Sequence, residues 1–215
     1  MILLLGATLL ATPRSVLGDE PSDGALIGAG LGMALPTYFI GVTVHEGSHA
    51  LAAKMVGARV VDIDLLPHVH RGKFYFGRVL VVGLSGRAER NFFLMAPKIS
   101  DSLMLGGYSL ALGLDALPEN RYGLLAFTVL ATGFWVDFTR DVFAFWDYND
   151  TVKVYNSFGW DNELKRLPAR LVHASISVAA ALVIAEGYRR VFDDADESMT
   201  AARTGFVAPV WQTAF

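Results

Sequence analysis

Apolar residues fall in long, nearly unbroken blocks along this chain, separated by polar stretches and by one region of alternation. The first block, ALIGAGLGMALPTYFIGVTV, covers 25–44, and three more follow at about 92–114, 122–146 and 168–188. Each has the roughly 20 residues that a helix needs to cross a hydrocarbon core. Pro36 should kink the first helix, and Gly28 and Gly32, four apart, would let a neighbouring helix approach closely. Residues 58–90 behave differently. Apolar and polar positions alternate around a central Pro-to-Gly region, which predicts a β-hairpin with strands near 59–66 and 73–82. The expected fold is mainly α: a polytopic membrane helical bundle of about four transmembrane helices with a membrane-associated β-hairpin. Residues 1–24 read as a signal-like apolar segment followed by the acidic linker GDEPSDG, 25–190 as the membrane core, and 191–215 as a tail.

Composition agrees with the blocks. Hydrophobic residues make up 53% of the 215, against about 45–50% in soluble domains. A formal net charge of −3 gives no reason to expect a nucleic-acid partner. With no cysteine, disulfides, thiolate metal sites and a cysteine nucleophile are excluded, so a metal would have to be held by His, Asp or Glu. Basic residues cluster around the hairpin (Lys54, Arg59, Arg71, Lys73, Arg78, Arg87, Arg90, Lys98) and between the third and fourth blocks (Lys153, Lys165, Arg166, Arg170). The positive-inside rule then places both regions in the cytoplasm and the two termini outside, in an integral protein of a bacterial inner membrane. Arg189 and Arg190, at the far end of the last block, run against this arrangement.

The chemistry centres on His45-Glu46-Gly47-Ser48-His49, which continues the first apolar block. On a helix, positions i and i+4 share a face, so both imidazoles reach one zinc ion, with Glu46 beside it as general base. Zinc lowers the pKa of water bound to it to about 7, making hydroxide available at neutral pH. A catalytic zinc takes three protein ligands, so a third is needed. Asp150, Asp137, Asp141, Asp147, His68 and His70 are all candidates. Asp137 and Asp141 lie four apart beside Arg140 and equally suit an internal ion pair, and Asp150 equally suits a helix N-terminus. His68 and His70 read better as hairpin-tip residues, and His173 as a packed or hydrogen-bonded residue of the last block. Ionisable groups at membrane depth also suit a metal-binding or transport protein, or a scaffold without proteolytic activity. Glu46 separates these readings, since hydrolysis needs it.

The stretch HEGSHALAAKMVGARVVDIDLLP resembles the first core helix and following strand of the site-2 protease family of intramembrane zinc metalloproteases. KFYFGRVLVV resembles that family's membrane-associated hairpin, and LMAPKISDSLML is a loose counterpart of the small-residue and proline motif in its second helix. The resemblance covers about 25–155 and implies zinc-assisted hydrolysis of peptide bonds in membrane-protein substrates; separately, the expected hairpin offers an edge strand for holding an extended substrate by β-addition. Asn149-Asp150 stands at the separation of the family's third ligand, an aspartate in a Leu-Asp-Gly motif; that glycine and the upstream proline are missing here. With no PDZ-like domain, the chain resembles a minimal member.

Overall fold

The computed structural model describes residues 20–70 and 72–204, and side chains as far as 192. The signal-like residues 1–19 and positions 205–215 of the tail lie outside the described residues. Helix α1 (Asp23–Met55) leads into strands β1 (Arg59–Asp64), β2 (His68–His70), β3 (Lys73–Tyr75) and β4 (Arg78–Val82). Then come α2 (Arg87–Gly113), α3 (Arg121–Arg140), a 3-10 turn (Asp141–Phe143), α4 (Asp150–Ser157) and α5 (Glu163–Thr204). The boundary expected at 190 falls inside α5.

Local chemistry sets the helix starts. Ser22 accepts from the Ala25 amide ahead of α1, Asn120 from Gly123 ahead of α3, and Asn149 from Val152 ahead of α4. At α2 the Glu89 carboxylate reaches back to the amides of Ser85 and Gly86. Gly57, at φ 78°, ends α1 in the left-handed conformation that glycine adopts at little cost.

Among the described residues, three helices are long and apolar enough to cross a membrane: α1, the run 121–143, and the 163–192 part of α5. At 27 residues α2 has the length but is less apolar than the other three. Its Lys98 and Asp101 are buried against α3 rather than turned to lipid. The molecule is thus a mainly α membrane protein, and its expected fourth span is a helix with a charged inner face.

Helix α1 lies against α2 and α3, α3 against α5, and α2 against α4. Leu26, Leu105, Leu125, Phe134, Phe138 and Ile184 form the centre of the apolar core. Leu31, Leu35, Leu103, Leu171 and Leu182 point outward and exposed, as lipid-facing side chains would. The contact expected at Gly28 and Gly32 does not form: a methyl group at either would meet nothing within 4 Å. Instead α3 sits on the other side of α1, with Leu125 and Val129 over Gly30 and Thr37 against Gly133. Each residue turns the helix by about 100°, so Gly30 faces nearly opposite to Gly28. Pro36 lies inside α1 without ending it.

The hairpin is one antiparallel excursion in two ladders. Arg59 pairs with Val82 and Asp64 with Arg78 near its base, with a bulge between Val60 and Asp62. Further out, His68 pairs with Tyr75 and His70 with Lys73. Between the ladders the chain folds back on α1, where the Tyr38 hydroxyl donates to the Phe76 carbonyl at 3.2 Å.

Candidate metal centre

The HExxH residues occupy the last third of α1, and they meet three other parts of the chain there. His45 Nδ1 lies 2.7 Å from Asp137 Oδ2 on α3. His49 Nδ1 lies 2.8 Å from the Phe93 carbonyl on α2. A carboxylate and a carbonyl only accept, so each imidazole donates from Nδ1, which leaves both Nε2 atoms as lone-pair donors. The His49 ring is also held between His45, at 5.2 Å between centroids, and Phe93, at 4.6 Å.

His49 Nε2 faces Asp150 Oδ2 at 3.1 Å. His45, His49 and Asp150 each bring a ligand atom within 4.8 Å of the others. Two ligands about 2.0–2.1 Å from a tetrahedral zinc stand roughly 3.3 Å apart, so the His49–Asp150 spacing suits a shared ion. The donor set, two neutral nitrogens and one carboxylate oxygen, suits zinc, and ligating histidines usually give their other ring N–H to a carboxylate or carbonyl, as both do here. The residues present fit the metal.

Asp150 is the first residue of α4, and the cap expected of it belongs to Asn149. Burial alone would raise its pKa. The contacts with His49 Nε2, at 3.1 Å from Oδ2, and with the Lys153 ammonium, at 2.7 Å from Oδ1, outweigh burial and hold the carboxyl below the usual carboxylate range. It is therefore ionised at neutral pH, as a metal ligand must be.

Glu46 is buried beside the histidines, under the main chain of the hairpin. A methyl group at Gly77 would fall 2.8 Å from Glu46 Cγ and Oε1 and from Val42 Cγ1. Only glycine lets the hairpin pass this close.

The other sequence candidates are placed elsewhere. Asp137 stands behind His45. Asp141 is 2% exposed, accepting from Asn149 Nδ2 at 2.9 Å and Thr151 Oγ1 at 2.7 Å. Asp147 is exposed between the 3-10 turn and α4. His68 stacks on Tyr75, with its Nδ1 2.9 Å from the Leu66 carbonyl and 3.2 Å from Asp64, and His70 stays on β2 beside it. Both are hairpin residues outside the His45–His49–Asp150 group. His173 Nε2 meets the Phe138 carbonyl at 2.9 Å.

Two contributors were not legible in sequence. One is the Phe93 carbonyl, because main chain carries no residue signature. The other is Arg170, 7% exposed, which donates to the carbonyls of Asp141, Val142 and Ala144 and so fixes the turn leading to Asp150.

A model of the Peptidase M50B-like family matches residues 32–215, a region that holds every residue of this cluster. No curated protein and no solved structure matches the chain.

Proposed function

The chain belongs to the Peptidase M50B-like family, and we propose that it is an intramembrane zinc metallopeptidase that hydrolyses peptide bonds of membrane proteins near the cytoplasmic face of a bacterial inner membrane. His45, His49 and Asp150 would hold the zinc and Glu46 would act as general base. The observation that carries this reading is the pairing of both Nδ1 atoms with fixed acceptors, which leaves both Nε2 lone pairs for a metal, beside an Asp150 carboxylate within ligand-sharing distance.

Bound there, zinc would polarise the scissile carbonyl and lower the pKa of water. The chain's own residues do the rest. Asp137 and the Phe93 carbonyl hold the imidazoles in one tautomer and one orientation. Glu46 takes a proton from the attacking water and returns it to the leaving amine. The hairpin main chain above Glu46 and the Phe93 ring beside His49 limit the room for bulk water. The basic residues of the hairpin flanks and of the loop before α5 support the cytoplasmic orientation.

Metal analysis of purified protein tests the ligand set. Wild type should carry about one zinc, and His45→Ala, His49→Ala and Asp150→Ala should carry almost none. An Asp150→Ala protein with full zinc would remove Asp150 from the set. Glu46→Gln should keep its zinc and lose cleavage of a membrane-protein reporter by about 100-fold or more. A Glu46→Gln protein with wild-type cleavage would refute the mechanism, and zinc without cleavage in the wild type would favour a binding or transport role.

A further inference from the structure

Lys98 lies in α2, 5% exposed, at a point where the two halves of the metal centre approach each other from behind. Its ammonium donates to the Asp137 carbonyl at 2.6 Å and to Asp137 Oδ2 at 3.2 Å. Asp137 Oδ2 is the same oxygen that accepts from His45 Nδ1. The ammonium also lies 3.2 Å from Asp101 Oδ2 and 3.6 Å from Asp141 Oδ2. Asp141 in turn grips Asn149 and Thr151, the residues on either side of Asp150. Asp137 in the last turn of α3 and Asp141, which caps it, are four residues apart, and both carboxylates meet the Lys98 ammonium of α2.

We propose that Lys98, Asp137 and Asp141 form a single positioning device for the metal centre, in which Asp137 aims His45, Asp141 sets the start of α4 that carries Asp150, and the Lys98 ammonium fixes the two carboxylates relative to each other. The proposal rests on the metallopeptidase reading above. A buried ammonium and buried carboxylates are each costly unless paired, so the three hold one arrangement rather than several. Removing the ammonium takes away the buried cation between Asp137 and Asp141 and leaves only the more exposed Arg140, 3.2 Å from Asp137 Oδ1 and 3.8 Å from Asp141 Oδ1. Arg140 meets only Asp137 Oδ1, so Oδ2, the oxygen that orients His45, loses its cation, and the spacing between His45 and Asp150 loosens. None of the three belongs to the proposed ligand set, so they would act through the ligands.

The test is metal affinity and coordination, measured on the full chain in detergent micelles. Zinc affinity is read by competition with a chromophoric chelator, and ligand geometry by the visible absorption of the cobalt-substituted protein. Lys98→Met, Asp137→Asn and Asp141→Asn should each weaken zinc binding by about 10–100-fold and alter the cobalt spectrum. Lys98→Met combined with Asp137→Asn should lose little more than either alone, because residues of one network are not additive. Arg121→Met serves as a control for general destabilisation. Arg121 is also buried, but it sits 16 positions before Asp137 on α3, about 24 Å away along the helix axis. It should lower thermal stability while leaving affinity and spectrum unchanged. Zinc affinity and cobalt spectra like wild type in folded Lys98→Met and Asp141→Asn would overturn the positioning role while leaving the metal centre intact. Fully additive losses, or an Arg121→Met protein that loses zinc equally, would also overturn it. A wild type that binds no zinc would sink the metallopeptidase reading and this inference together.

Discussion

Two of the buried cations, Arg121 and Lys98, are used in different ways. At the end away from the HExxH residues, Arg121 donates to the carbonyls of Val191 and Pro21, at 2.7 and 2.9 Å, and to Asp23 at 2.6 Å. It ties the starts of α1 and α3 to α5. Its partners are main-chain oxygens and a largely exposed carboxylate, so the chain of contacts ends there. At the other end Lys98 meets side-chain carboxylates that carry the contacts onward, from Asp137 to His45 and from Asp141 to both neighbours of Asp150. Both cations are buried and both are satisfied. The first closes a joint, and the second passes position along to groups that are suited to hold an ion. A buried charge in a membrane protein is thus informative less by its depth than by what its partners touch next.

The comparison can be broken or sharpened by experiment, and the largest effect is expected where the hairpin crosses the base. Gly77→Ala adds a methyl group 2.8 Å from Glu46 and must displace it. Cleavage of a reporter should fall about 100-fold, the usual consequence of an ångström-scale misplacement, with zinc content unchanged. Retained cleavage would mean that the hairpin does not set the aim of Glu46.

Next in size is zinc itself. At a free concentration about 100 times its Kd, zinc should add about 2.7 kcal/mol to stability. Hydrogen exchange should show the added protection at 45–49, 93–98 and 137–152 above that at 21–30 and 186–191. Equal protection at both ends would contradict the division.

The smallest effect belongs to Arg190, which pairs with Asp115 at 2.6 Å and with Glu186 at 3.0 Å near the surface of the joint end. Arg190→Gln should cost at most about 1 kcal/mol in urea unfolding. A loss of several kcal/mol would show that the joint depends on this exposed pair. Through these contacts Glu186 and Asp115 neutralise Arg189 and Arg190 locally.

What the sequence revealed follows the range of the interactions involved. The HExxH face depends on a spacing of four residues, and the hairpin depends on alternation, so both are written locally. The α1 packing face is not, because a helix apolar all round carries no mark of which side meets protein; Gly28 and Gly32 were the more regular pair, and Gly30 is the one that packs. The resemblance favours Asp150 over Asp137 and Asp141, but their local chemistry does not separate the three, because their difference arises from the turn at 141–143 and the chain reversal after it. That geometry depends on Arg170, 20 residues beyond Asp150, and on the main chain of three residues. Lys98 and Asp101 lowered the apolar character of α2, and the same two residues are the reason that helix has a charged inner face.

Gly77 has one further consequence. A side-chain base usually owes its aim to its own rotamer, which thermal motion can change. Here the hairpin backbone acts as a mechanical stop over Glu46, fastened to α1 through Tyr38 and Phe76. The swing of the carboxylate and the height of the hairpin are then one coordinate: lifting the strand at 77 gives Glu46 room to turn, and seating it takes that room away.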